Sequence, residues 1–328
     1  MEQRALGNTG LRVSALGYGC GNVGGLMVRG THEQQVEAVR RALDAGITYF
    51  DTAPLYGDGK SEENTGRVLT ELGAWGQISL GTKVRLRGED LRDPAKAVKD
   101  SIIVSLRRLG RDSVDLLQLH NTIRVTTDAQ NPGLGGDDLA GAADAIQAVV
   151  REGLAAHAGF TGVGETEPLH ATASSGRFET MQSYFNAINP SAGHAGAAGG
   201  AQDMGGVIDV AAGKGLGVIA IRVMAGGAMT AQEERAPLAS AGLGPALVPG
   251  NTYEVDISQA VGRDALAREL GLESALELSL RFVISHPGVS TALVGYSDRQ
   301  QLEDSIRWAE RGPLTADQVQ RVVEAATA

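Results

Sequence analysis

Cysteine occurs once in 328 residues, as Cys20, so no internal disulfide is possible, and no Cys/His cluster has zinc-site spacing. No apolar run approaches the roughly 18 residues that a membrane-crossing helix needs. The opening Met1-Glu2-Gln3-Arg4 has no apolar leader either, and a soluble, cytoplasmic chain with no membrane partner is expected. Basic charge is scarce: 29 Lys and Arg stand against 39 Asp and Glu, a net charge of -10 with a pI near 5.1. Nucleic acid and anionic membranes both require a dense basic face, so neither is an expected partner. Glycine is plentiful, at 45 residues, but it follows no period, which excludes collagen-like and low-complexity readings and marks loops and strand ends. Hydrophobic residues at 42% and charged residues at 21% are ordinary for a globular chain, and the length suffices for a large core.

Short apolar runs alternate with longer amphipathic stretches. Strands are expected over 13–19, 47–53, 78–84, 114–120, 155–162, 180–186, 217–223 and 291–296. Helices are expected over 32–45, capped by Thr31 and Gly46, and over 61–72, 95–109, 137–152, 166–174, 203–214, 272–285 and 298–310. Strands too apolar to be half exposed, each followed by a helix, predict an α/β fold: a single (β/α)8 TIM barrel, with residues 1–328 as one domain. Segments 4–6 and 11–13 flank Gly7-Asn8-Thr9-Gly10 and predict a hairpin that plugs the barrel bottom. Stretches 121–136, 187–202 and 225–256 show no period and follow strand C-termini, where loops build barrel active sites.

The chemistry concentrates at three strand ends. Asp51 ends the second strand, with Tyr56 one short turn beyond; Lys83 ends the third, and His120 the fourth. An acid, a lysine, a histidine and a tyrosine on one rim form a proton-transfer set. A free phenol is a poor acid at neutral pH, and a nearby ammonium favours its phenolate. Asp51 holds that ammonium charged, because an unpaired buried ammonium deprotonates instead. His120 is placed to orient a substrate oxygen, and Tyr56 to donate a proton to a carbonyl as hydride reaches carbon. No side chain supplies hydride, so a cofactor is required.

The segment DTAPLYG, then GTK, then LQLH, in this order and spacing, resembles the aldo-keto reductase superfamily, in its bacterial branch, as does the opening RALGNTGLRVSALGYG. The similarity runs from about residue 3 to 310, and the family's catalytic set falls on Asp51, Tyr56, Lys83 and His120. The resemblance implies a carbonyl or alcohol oxidoreductase that binds NADP(H), less often NAD(H), across the barrel mouth. It further implies nicotinamide contacts from Gly19, Asp51, Thr161, Gln182 and Met224, and diphosphate contacts from the turn at Gly226. Gly295, Ser297, Gln301, Asp304 and Ser305 fall on the adenosine positions. The family's Ser-Asn after the fifth strand is Thr161-Gly162 here, and Met224 brings no aromatic face to the nicotinamide. The usual basic ligands of a 2′-phosphate are Gly295 and Gln301, which leaves Ser297, Arg299 or Arg222 for that group, with NADP(H) favoured and NAD(H) possible.

Substrate contacts are expected from Tyr18, Met27, Asn121 and Phe185, and from Met224. The Gly19-Cys20-Gly21-Asn22-Val23-Gly24 segment spells a dinucleotide fingerprint, but the next helix starts near Thr31, so it reads as a loop close to the nicotinamide, with Cys20 inert. The resemblance also admits a redox-sensing regulatory subunit, like the family's potassium-channel β subunits, which keep the catalytic set. A metal-dependent barrel hydrolase built on Asp51 and His120 lacks further ligands. The partner is a small-molecule carbonyl or alcohol; which one, and the oligomeric state, are not written in the sequence.

Overall fold

The computed structural model describes residues 1–127, 132–241 and 251–327. Strands β1 (Gln3–Ala5) and β2 (Arg12–Ser14) pair antiparallel, with Arg4 opposite Val13. Then come β3 (Leu16–Gly19), β4 (Tyr49–Asp51), β5 (Ser79–Val84), β6 (Val114–Leu119) and β7 (Ala155–Gly162). They are followed by β8 (Thr180–Tyr184), β9 (Gly217–Ile221) and β10 (Val289–Gly295). These eight run parallel in sequence order and β10 closes on β3, giving the expected (β/α)8 barrel. The run expected at 13–19 divides: Arg12–Ser14 belongs to the hairpin and Leu16–Gly19 to the barrel.

The hairpin seals the bottom. Leu6 and Val13 are fully buried against Tyr49, Leu116 and Ile219, side chains that fill the barrel interior. Leu6 sits so close to β9 that a Cβ at Gly217 would lie 2.7 Å from it. Bulk at Gly217 would push the plug out, so glycine is required by space there.

The helices are α1 (Leu26–Arg29), α2 (His32–Asp44), α3 (Lys60–Glu71), α4 (Pro94–Leu109), α5 (Gly136–Arg151) and α6 (Thr166–Ser174). The second half adds α7 (Val207–Gly213), α8 (Tyr253–Glu269), α9 (Ala275–Ser285), α10 (Arg299–Glu310) and α11 (Ala316–Thr327). Thr31 caps α2 through the Gln34 amide, while the Gln34 side chain accepts from the Thr31 amide, a reciprocal capping box. The outward strand residues Phe50, Leu117, Leu119, Phe160 and Val218 pack under these helices in one continuous core. Among the described residues no helix is long and apolar enough to cross a membrane.

Three expectations change. The stretch 225–256 is not wholly irregular, since α8 begins at Tyr253; α8 and α11 were not anticipated. The helix expected at 203–214 starts only at Val207, because Gly205 and Gly206 take left-handed φ values of 61° and 72°. The stretch 187–202 is largely packed rather than open: the buried Asn189 side chain bonds the Gln202 carbonyl at 3.0 Å and the Ser191 hydroxyl at 2.6 Å. Parts of 121–136 and 225–256 lie outside the described residues.

Candidate active site

A strand turns alternate residues inward, and that phase assembles the site. Tyr49 faces into the barrel, so Asp51 does too; Leu116 fixes the same phase for Gln118 and His120. Asp51 and Lys83 are 2% and 1% exposed and form an ion pair. Lys83 Nζ also donates to the Thr52 carbonyl at 2.8 Å. The other carboxylate oxygen of Asp51 accepts from Gln182 at 2.8 Å, Gln118 at 2.9 Å and the Tyr49 hydroxyl at 3.3 Å. All four partners are donors, a set that a carboxylate satisfies and a carboxylic acid would not.

Lys83 Nζ stands 4.9 Å from the centre of the Tyr56 ring. Burial alone would press the ammonium toward neutrality. The charge of Asp51, then that of Tyr56, and hydrogen bonds to both outweigh it, so the lysine pKa lies above its ordinary 10.5. Lys83 therefore carries its charge throughout the working range. The Tyr56 ring meets the His120 ring edge-on, centres 5.9 Å apart, and a Cβ at Gly21 would lie 3.6 Å from the phenol. The Gly19–Gly21 loop is thus the wall behind Tyr56. Cys20 is buried in that wall, and burial above all pushes its thiol up to about 12, so it remains a thiol.

His120 is held neutral. Burial first, then the charges of Lys83, Arg85 and Arg222, bring its pKa down from 6.5 to about 3. Between those two values the unfolded chain binds a proton that the folded chain refuses, so the folded state loses stability as pH falls below 6.5. We expect His120→Gln, which cannot titrate, to be spared this loss. The native-to-variant ratio of folding constants should fall by up to about tenfold per pH unit across that window. Urea unfolding of both proteins at stepped pH checks it; parallel curves would show that His120 titrates normally in the fold.

A groove open to solvent, with a cavity volume of about 240 Å3, runs from Arg222 to Trp308 along the C-terminal ends of β9 and β10. Met224, Gly226, Gly295, Ser297, Gln301, Asp304 and Ser305, all expected cofactor contacts, line it. Gly226 and Gly227 take φ values of 67° and 107°, and a Cβ at Gly227 would come within 3.4 Å of the Tyr253 hydroxyl, narrowing the channel. Bare backbone at the turn, hydroxyls and an amide beside it, and Trp308 and Leu276 at the far end suit a phosphate-bearing dinucleotide with an aromatic base. Tyr56, Lys83 and His120 do not line this groove; Arg222 joins it to them.

Several expected contacts lie elsewhere or are already engaged within the chain. Gly19 sits in the strand ladder between Asp51 and Gly295. Gln182 already gives its amide N–H to Asp51, and its carbonyl accepts from Thr161 at 3.4 Å. Arg299 is off the groove, ion-paired to Glu37 and, at 3.3 Å, to Glu303. The Ser297 hydroxyl donates to the Gly24 carbonyl at 2.6 Å. Tyr18, Met27 and Phe185, expected at the substrate, are at most 1% exposed and belong to the packed core. Tyr18 stacks on Phe50 at 5.1 Å and Phe185 meets Phe282 at a tilt at the same distance, both outside the barrel wall. Asn121 is spent on the Leu86 backbone, accepting at 3.0 Å and donating at 2.8 Å. Gln118 and Tyr49 were missed as partners of Asp51, although both share its inward phase.

Among the described residues no group of three or more His, Cys, Asp or Glu side chains is placed to hold a metal ion. Against known proteins, the profile of the Aldo/keto reductase family matches residues 15–327. The chain is 27% identical to L-galactose dehydrogenase of Arabidopsis thaliana, covering 93% of this chain and 87% of that protein. It is 26% identical to L-glyceraldehyde 3-phosphate reductase of Escherichia coli O157:H7, covering 94% and 87%. A segment covering 37% of this chain and 38% of the Bacillus subtilis aldo-keto reductase YhdN is 40% identical to it. The fold superposes on aldo-keto reductase AKR11C1 from Bacillus halodurans in its holo form with a TM-score of 0.72, at 22% identity, covering 100% of this chain and 97% of that one. The chain belongs to the Aldo/keto reductase family and is an oxidoreductase of carbonyl and alcohol groups.

Proposed function

We propose that this chain, as one cytoplasmic barrel domain, reversibly reduces a small aldehyde, ketone or sugar with Tyr56 as proton donor and NADP(H) as the favoured cofactor. The observation that carries the reading is the Lys83 ammonium, ion-paired to Asp51 and 4.9 Å from the Tyr56 ring. When Tyr56 gives up its proton a phenolate is left, and a fixed ammonium beside it stabilises that charge in a water-poor site. Asp51 keeps Lys83 in place, and Gln118, Gln182 and Tyr49 keep Asp51 in place. Neutral His120 offers one ring N–H to the carbonyl oxygen without competing as an acid. The bound nicotinamide supplies the hydride. Gln182, its N–H turned to Asp51, would hold the amide group of that ring through its carbonyl oxygen. In the reverse direction Tyr56 takes the alcohol proton back.

To hold a 2′-phosphate, Arg299 at the start of α10 must leave Glu37 and Glu303. These are half-exposed pairs, worth about 0–1 kcal/mol each. A charge-assisted bond to phosphate is worth about 1.5–3 kcal/mol, so the exchange is favourable. We expect Arg299→Ala to weaken NADPH binding about tenfold and to leave NADH binding within twofold, by fluorescence titration of each. Equal losses for both would remove Arg299 from 2′-phosphate recognition. The activity is tested by following cofactor oxidation over a panel of aldehydes, ketones and sugars; catalytic turnover supports the enzyme, and a single stoichiometric turnover would instead indicate a redox sensor.

A further inference from the structure

β9 ends at Ile221, which packs toward the interior cluster, so alternation would turn the next side chain, Arg222, outward. Instead Arg222 takes a left-handed φ of 58°, a conformation such residues hold only where the surroundings impose it. The surroundings are specific. The Arg222 carbonyl accepts from Asn186 Nδ2 at 3.0 Å and from the Ala225 amide at 2.8 Å. Asn186 is itself fully buried and fixed, its oxygen accepting from the Ile188 and Asn189 amides, each at 2.9 Å. This clamp re-aims the guanidinium into the head of the groove. There it makes no ion pair or hydrogen bond with any described residue.

Arg85 stands on the other side of the mouth. It follows the last residue of β5, two positions beyond Lys83, and is exposed. It too lacks an ion pair or hydrogen bond among the described residues. His120 lies beside it, its backbone amide bonded to the Val84 carbonyl at 2.7 Å, and the imidazole feels both guanidinium charges. Two uncompensated cations at the reaction centre run against the sign of a chain whose net charge is -10. Arg222 is half-buried, and a charge so placed without a counter-ion costs free energy that an anionic ligand removes; Arg85 is exposed and adds its charge from the solvent side.

We propose that Arg222 and Arg85 form an anion seat beside Tyr56, and that the physiological substrate carries a carboxylate or phosphate close to its carbonyl. The proposal rests on the reading above that the carbonyl is reduced at Tyr56. A dinucleotide also brings phosphates to the turn at Gly226, so the test must separate the two sources of negative charge.

Arg222→Gly is the informative variant, because glycine adopts the left-handed backbone freely and only the guanidinium is lost; Arg85→Gln removes the second charge. With saturating NADPH, native protein and variants are compared on glyceraldehyde 3-phosphate against glyceraldehyde, and on succinic semialdehyde against butanal. We expect the native kcat/KM to favour the anionic member of at least one pair tenfold or more, through KM. Arg222→Gly should collapse that preference about tenfold, and raised salt should erode it in the native protein. NADPH affinity is titrated in parallel. A weakened cofactor with an unchanged substrate preference would assign Arg222 to the cofactor's diphosphate and overturn the proposal, as would a native enzyme without anion preference. Melting of the NADPH-bound proteins with succinate or inorganic phosphate tests the seat without turnover. Both anions should raise the native midpoint and leave Arg222→Gly unmoved. A native midpoint that ignores both anions overturns the seat, whereas inactivity on all four aldehydes with the anion effect intact would overturn only the carbonyl-reductase reading.

Discussion

Tyr56→Phe should reduce carbonyl turnover about 100-fold or more while cofactor affinity stays within a few-fold. General acid help of this kind is worth roughly 10²–10⁴-fold, and phenylalanine removes only the oxygen that provides it. The ring itself, edge-on to His120 and against the Gly21 loop, keeps its neighbours, so the shape of the site survives the change. Steady-state kinetics with a saturating cofactor, set beside a cofactor titration, separate the two effects. A variant with near-native turnover would mean that another group, His120 or water, protonates the carbonyl oxygen.

Lys83→Met should be as damaging to turnover, and unlike Tyr56→Phe it should also destabilise the fold. Turnover falls about 100-fold because the phenolate loses its fixed counter-charge, a loss comparable to removing one preorganised electrostatic donor. Stability falls because Asp51, 2% exposed, is left as a buried carboxylate facing only two amides and a phenol. Removing one partner of a buried pair costs about 3–5 kcal/mol, and the three remaining donors place this case near the lower end. The double variant Lys83→Met with Asp51→Asn carries no stranded charge, so it should regain most of the stability and none of the turnover. Urea unfolding of the single and double variants reads the first quantity and steady-state kinetics the second. A double variant no more stable than Lys83→Met would show that the ion pair is not what the folded state depends on here.

The barrel was legible because its signal is repeated: apolar runs and capped helices recur along the chain, and a misplaced boundary at one of them does not disturb the others. The cluster at the barrel mouth was legible for a related reason. Asp51, Lys83 and His120 each end a strand in the inward phase, and neighbouring strands bring like phases together. The same phase rule would have excluded two of the expected substrate contacts. Gly19 pairs with Asp51 in register, so Tyr18 must face outward, and Gln182 inward makes Phe185 outward. The burial of both rings against the helices is what alternation requires. Gln118 was open to the same argument, two residues before His120.

Other features had no local signal. α8 buries Ala260, Arg263, Leu266 and Ala267, a face of two alanines, one leucine and one arginine whose guanidinium bonds the Ala187 and Ala325 carbonyls, so no broad apolar stripe announces it. The orientation of Arg222 depends on a left-handed backbone imposed by Asn186, a residue 36 positions away, which nothing in the sequence around Arg222 encodes. The ion pair of Arg299 with Glu37 likewise joins α10 to α2 and exists only once the barrel has closed.

The most direct test of the central claim is the fate of the hydrogen at the nicotinamide C4 position. With cofactor deuterated on the transferred face and a substrate that the enzyme turns over many times, the alcohol should carry deuterium on the former carbonyl carbon, as mass spectrometry or NMR would show. In deuterated water with ordinary cofactor that carbon should acquire none. Product labelled from solvent, or cofactor oxidised with no deuterium in the alcohol, would contradict hydride transfer at this site.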